Sequence, residues 1–114
     1  DDQFGSPTSA DSLARQIRAV IEARAEGVFH ATSHGYCSWF DLADAFLAQL
    51  GVEHQFKRCS TAQYPTAAKR PTNSILANYR LASLGLDVFT DWRDELALFV
   101  AQYCERLLAE STQR

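Results

Sequence analysis

Glycine is scarce and scattered, with Gly5, Gly27, Gly35, Gly51 and Gly85 far apart in the chain. No Gly-x-Gly-x-x-Gly or Gly-x-x-Gly-x-x-Gly run exists, so these residues cannot cradle a dinucleotide pyrophosphate in the Rossmann manner. A Tyr-x-x-x-Lys pair is missing as well, because Tyr36, Tyr64, Tyr79 and Tyr103 are followed four positions on by Phe40, Ala68, Ser83 and Leu107. That removes the usual proton donor of a short-chain reductase. The widely spaced, odd set of Cys37, Cys59 and Cys104 argues against a disulfide framework and suits a reducing compartment. No apolar stretch approaches the roughly 20 residues of a membrane span, and the polar opening DDQFGSPTSADS is unlike a signal peptide. With 11 basic against 14 acidic residues and no basic block, neither nucleic acid nor an acidic membrane is an expected partner. A cytoplasmic location is the expectation.

What is present is enough apolar material for one domain with a modest core: 114 residues, 46% hydrophobic and 11% aromatic. Thr8-Ser9-Ala10-Asp11 has the spacing of a capping box, with Thr8 as the cap, and Leu13, Ile17, Val20 and Ile21 follow at helical intervals. This predicts a helix from about residue 10 to 25. The β-branched and aromatic run Val28 to Thr32 predicts a strand. Ser38 with Asp41 caps a second helix, whose stripe of Trp39, Leu42, Ala43, Phe46, Leu47 and Leu50 stops at Gly51. His54 to Cys59 alternates weakly and predicts a second strand, which would make strand-helix-strand the core unit. Residues 60–74 carry Pro65, Pro71 and the basic pair Lys69-Arg70 without apolar periodicity, and read as a long functional loop. A short helix over 78–84 and a closing helix capped by Asp91, with a stripe from Trp92 to Leu107, complete the chain, and its tail from Glu110 is expected to fray.

The candidate chemistry is thin. His30-x-x-x-His34-x-x-Cys37 contains zinc-type donors, but a fourth ligand is missing and a packed plus an exposed histidine account for the pattern. The cysteines lack an indicated base or activating charge, so structural thiols explain them. Lys69-Arg70-Pro71 offers a guanidinium fixed beside a proline, which can present a fork to phosphate; a solvated basic turn is the alternative. Gln3, Thr8, Asn73 and Ser74 supply neutral donors and acceptors for sugar hydroxyls or base edges, or simply satisfy loop backbone. Trp39 and Trp92 both fall on helical stripes and are assigned to the core.

Three runs of residues carry a resemblance. Asp2-Gln3-Phe4-Gly5-Ser6-Pro7-Thr8, the strand-loop-helix segment from Gly27 to Phe40, and above all Tyr64 to Ser74 resemble the C-terminal part of dTDP-4-dehydrorhamnose reductases; Asp91 to Leu96 resembles their closing helix. Members of that family are extended short-chain reductases with an N-terminal Rossmann domain and a smaller C-terminal part, reducing dTDP-4-dehydro-L-rhamnose at C4 with NADPH or NADH.

The resemblance implies an α/β fold, a small strand-helix-strand core with flanking helices that forms the C-terminal part of a Rossmann-type extended reductase. Residues 1–114 would be one substrate-binding domain, the dinucleotide-binding domain lying outside the sequence. Arg70, Asn73 and Ser74 are the implied substrate-binding residues, with Arg70 near the diphosphate or base of a nucleotide sugar. No residue of the chain is assigned a catalytic role, a metal or a cofactor; NADPH or NADH is implied for a longer parent. A chain separated from its dinucleotide-binding domain should expose the apolar surface that faced it and self-associate. The alternative is a non-catalytic module that binds a nucleotide sugar or a protein, since the superfamily also includes a regulatory subunit of methionine adenosyltransferase.

Overall fold

The computed structural model describes residues 1–112, and its elements follow from the caps at their starts. Ser9, in extended backbone, accepts the Ser12 N–H on its hydroxyl and opens helix α1 (Ala10–Glu22). Thr8 is not the cap: its hydroxyl donates to the Ser6 carbonyl and accepts the Ser33 N–H, which ties the N-terminal segment to the 33–38 loop. Ser38 caps α2 (Trp39–Leu50) with the expected reciprocal box, its hydroxyl accepting from the Asp41 N–H while the Asp41 carboxylate accepts from the Ser38 N–H. Gly51 ends α2 in the left-handed conformation at φ 71°. Helix α3 (Tyr79–Ser83) is a single short turn, and α4 (Trp92–Thr112) is the longest element. The frayed tail expected from Glu110 is not seen as far as Thr112, where an Arg106–Glu110 pair at 2.8 Å spans one helical turn.

The fold class is mixed helix and strand, but the sheet differs from the expected one. It is a two-stranded antiparallel ribbon of β1 (Phe4–Gly5) and β2 (Cys37–Ser38), with Phe4 opposite Ser38 and Gly5 opposite Cys37. Neither 28–32 nor 54–59 forms a strand, so the strand-helix-strand core is absent from the described residues. A strand needs a neighbouring backbone to complete its ladder. Thr32 instead meets a side chain: its N–H donates to Asn78 Oδ1 at 3.0 Å and its carbonyl accepts from Asn78 Nδ2 at 2.6 Å.

Packing concentrates on loops and two helices. Leu81, Phe89, Trp92, Val100 and Cys37 form the buried apolar set. Helices α2 and α4 meet through Phe46 and Phe99, with Tyr103 against Phe99 at 5.0 Å between ring centroids. Helix α1 turns its polar side inward: Gln16 is 1% exposed, donating to the Leu86 carbonyl and accepting from the Val88 N–H. Its apolar stripe of Leu13, Ile17 and Ile21 faces outward. A radius of gyration of 16.4 Å exceeds the about 13 Å of a compact domain of this size, in keeping with a flattened shape of 45 × 35 × 22 Å. Among the described residues no helix is long and apolar enough to cross a membrane.

Candidate functional site

A cleft of about 750 Å³ opens between the N-terminal segment, the start of α2 and the 59–74 loop. Its volume suits a drug-sized or nucleotide-sized ligand. Three sets of bonds hold the walls in place. Asp2 Oδ1 accepts both the N–H of Thr61, at 2.9 Å, and its hydroxyl, at 2.6 Å, while the Gln3 amide donates to the same hydroxyl at 3.0 Å. The Asp1 backbone nitrogen adds a bond to the Cys59 carbonyl. On the other side of β1, Phe4 donates to Thr72 and accepts from Ser74 along the backbone, both at 2.9 Å. Arg58 stacks over the Phe40 ring at 4.0 Å and approaches Asp41 at 3.6 Å, which fastens the chain after α2 to the first turn of that helix.

The electrostatics of this frame are simple. Hydrogen bonds from the Thr61 side chain and backbone hold the Asp2 carboxyl below its ordinary range, and those from Ser38 do the same for Asp41. Both carboxylates therefore stay charged well into acid, and both sets of bonds weaken as the pH falls through those lowered values. Burial pushes the Cys37 thiol up to about 11, so it is a neutral wall residue at physiological pH and no nucleophile.

The predicted residues divide. Arg70 and Ser74 line the cleft. Arg70 is exposed and enters no ion pair among the described residues, which leaves its guanidinium available to an anion. Asn73 does not line the cleft; its side-chain oxygen accepts the Ile75 N–H at 2.9 Å and its backbone bridges Phe4, so it shapes the loop. Gln3 reaches the wall with its amide already engaged by Thr61, and Thr8 is a loop tie. Of the zinc-type donors, His30 is exposed, His34 Nε2 lies 2.8 Å from Asp87, and Cys37 is buried against the cleft.

Trp39 corrects the sequence reading. Trp92 is 2% exposed and belongs to the core, but Trp39 is 68% exposed and lines the cleft. It is the first residue of α2, directly after the Ser38 cap. The adjacent Ser38 cap was the signal that its ring stands at a helix end. Tyr64, also exposed, was missed as a second aromatic on the cleft.

The loop and segment that build this cleft fall within a region shared with proteins of known type. Residues 1–105 match the model of the RmlD substrate binding domain. The chain belongs to that family. A dTDP-4-dehydrorhamnose reductase from Mycobacterium tuberculosis is 38% identical over 103 residues, covering 89% of this chain and 34% of the relative. The crystal structure of a dTDP-4-dehydrorhamnose reductase from Clostridium acetobutylicum superposes with a TM-score of 0.86 at 37% identity, covering 89% of this chain and 36% of that one. The corresponding reductase from Bacillus anthracis, solved in complex with NADP, gives 0.85 at 30% identity over 89% and 36%. The chain thus spans about a third of the length of the curated relatives it matches. The family assignment agrees with the resemblance carried by Tyr64 to Ser74.

Gly27 and Gly35 do not fit the close approach of a dinucleotide phosphate. A Cβ at Gly27 would run into the Arg80 guanidinium and one at Gly35 would meet Asp91 Oδ2 at 2.8 Å, so the space at each is filled by the protein's own side chains. Neither offers the open backbone that a pyrophosphate needs.

Proposed function

We propose that this chain is the substrate-binding portion of a dTDP-4-dehydrorhamnose reductase, the C-terminal part of a Rossmann-type extended enzyme, and that its cleft takes the nucleotide sugar. The observation that carries this reading is Arg70, an exposed guanidinium without an ionic partner among the described residues, beside Pro71 and Ser74 on one wall of the cleft. A guanidinium fork suits the paired oxygens of a diphosphate, and the preceding proline-bounded loop limits the order lost on binding. Membership of the substrate-binding family supports the same assignment.

The role of this chain is to bind and orient. It contains neither a glycine-rich phosphate loop nor a Tyr-x-x-x-Lys pair. Reduction of the sugar at C4, with NADPH or NADH as the hydride source, falls to a dinucleotide-binding domain that accounts for the remaining length of the relatives. The outward-facing Leu13, Ile17 and Ile21 of α1 form the surface that domain covers, and copies of the isolated chain associate through it.

Calorimetric titration with dTDP tests the binding claim. Wild-type chain should bind, and Arg70→Ala should weaken binding by about tenfold or more, the range of a charge-assisted contact to phosphate. Equal affinity in the two proteins would reject Arg70 as the anion contact, and no binding by the wild type would reject the nucleotide-sugar reading.

A further inference from the structure

We infer that Trp39 is the platform on which the pyrimidine base of the nucleotide sugar stacks, and that it sets the preference of the cleft for a nucleoside diphosphate over a bare diphosphate. The inference rests on the proposed function and adds to it the orientation of the ligand.

Three observations lead there. First, Trp39 is a large indole left 68% exposed on the cleft wall, although it begins a helix whose remaining stripe, from Leu42 to Leu50, is largely covered. Leaving such a ring in water forgoes the burial that normally places tryptophan inside, and a flat ligand face restores it. Second, the backbone that carries the ring is fixed while the ring stays uncovered. Ser38 and Asp41 fix the first turn of α2 through the capping box, Ser38 also lies in the β2 ladder opposite Phe4, and Arg58 clamps Phe40 next door. An aromatic on a fixed backbone has only its own two side-chain torsions to order on binding. Third, the residues needed for hydride and proton transfer are missing from the chain, so the reacting sugar carbon must face another part of the enzyme. The chain's own cleft then receives the opposite, nucleotide end. With the diphosphate at Arg70, the remaining flat group of that end is the base. Stacking on an aromatic side chain reads a π-face, which a base has and a phosphate lacks.

The test compares two probes on three proteins. Affinity for dTDP and for inorganic pyrophosphate is measured on wild type, Trp39→Ala and Trp39→Phe, with the helical circular dichroism signal of each checked first. The exposure of Trp39 makes both variants compatible with the fold. The expected result is a loss of about 5- to 100-fold for dTDP in Trp39→Ala, recovery to within about threefold in Trp39→Phe, and unchanged pyrophosphate affinity. Quenching of indole emission by dTDP should vanish with Trp39 and persist in a Trp92→Phe variant. Unchanged dTDP affinity in Trp39→Ala overturns the stacking inference while leaving the Arg70 reading intact. An equal loss for both probes also overturns it, because it makes Trp39 a support of the phosphate site. No dTDP binding by wild-type protein overturns the underlying function, and the inference with it.

Discussion

Helices α1 and α2 begin alike, each on a serine cap, and end up oppositely packed. Helix α2 sits with Phe46 against Phe99 of α4 and keeps its stripe from Leu42 to Leu50 at least half covered. In α1 the buried residues are Ser12 and Gln16, while Ile17 and Ile21 are 52% and 68% exposed. An amphipathic pattern states that a face will be buried, and only the presence of a partner decides by what. For α2 the partner is α4, within the chain; for α1 the chain supplies a polar dock for Gln16 and nothing for the apolar side. The contrast fits the proposal that a further domain covers the apolar side of α1.

The strongest way to break the comparison is to remove what holds α1 by its polar side. Gln16→Ala should cost about 2–3 kcal/mol, because the Leu86 carbonyl and the Val88 N–H lose their partner together. A fall in the urea midpoint with unchanged slope would show it, and an unchanged midpoint would mean that α1 is held otherwise. Next comes the α2 cap. Ser38→Ala should cost about 1 kcal/mol in the same assay and should also loosen Trp39, the first residue of that helix. Smaller still in stability, but larger in assembly, is the double change Ile17→Lys with Ile21→Lys. It should alter stability by less than about 0.5 kcal/mol, since both side chains are exposed, yet shift sedimentation from associated species to monomer. Persistent association would place the contact elsewhere.

The smallest effect concerns the link between α2 and the segment after it. His54 donates toward the Val52 carbonyl and toward Asp44 on α2, the first of these the larger influence, and its pKa is raised accordingly. A raised value means that the charged imidazole supports the fold. This contribution is complete below the ordinary histidine pKa of about 6.5 and fades as pH rises through the higher folded value. Proton NMR should find His54 titrating above an unperturbed histidine, and Asp44→Asn should bring it down.

Much of this was legible in the sequence. The Ser38–Asp41 box and Gly51 delimit α2 as expected, and Trp92 and Val100 are buried as their stripe requires. The 28–32 and 54–59 segments were misread because β-branched residues in the first and weak alternation in the second report a tendency to extend, while a ladder depends on a partner that no local pattern reveals. Thr32 found Asn78 instead. Trp39 was misplaced for a related reason: its position on the stripe is apolar by period, but period does not say which residues of a stripe are covered, and Trp39 faces the cleft. Arg70 and Ser74, implied by the resemblance of the 64–74 loop, line the cleft, whereas the Asp2–Thr61 clamp joins residues 59 positions apart and leaves no local trace.

The most direct test of the whole account is a map of amide shift changes on adding dTDP to the isotopically labelled chain. The expected result is a set of changes confined to residues 1–7, 37–42 and 59–74, with α1 silent. Changes centred on Leu13, Ile17 and Ile21, or none at any accessible concentration, would contradict the assignment of the cleft as the nucleotide-sugar site.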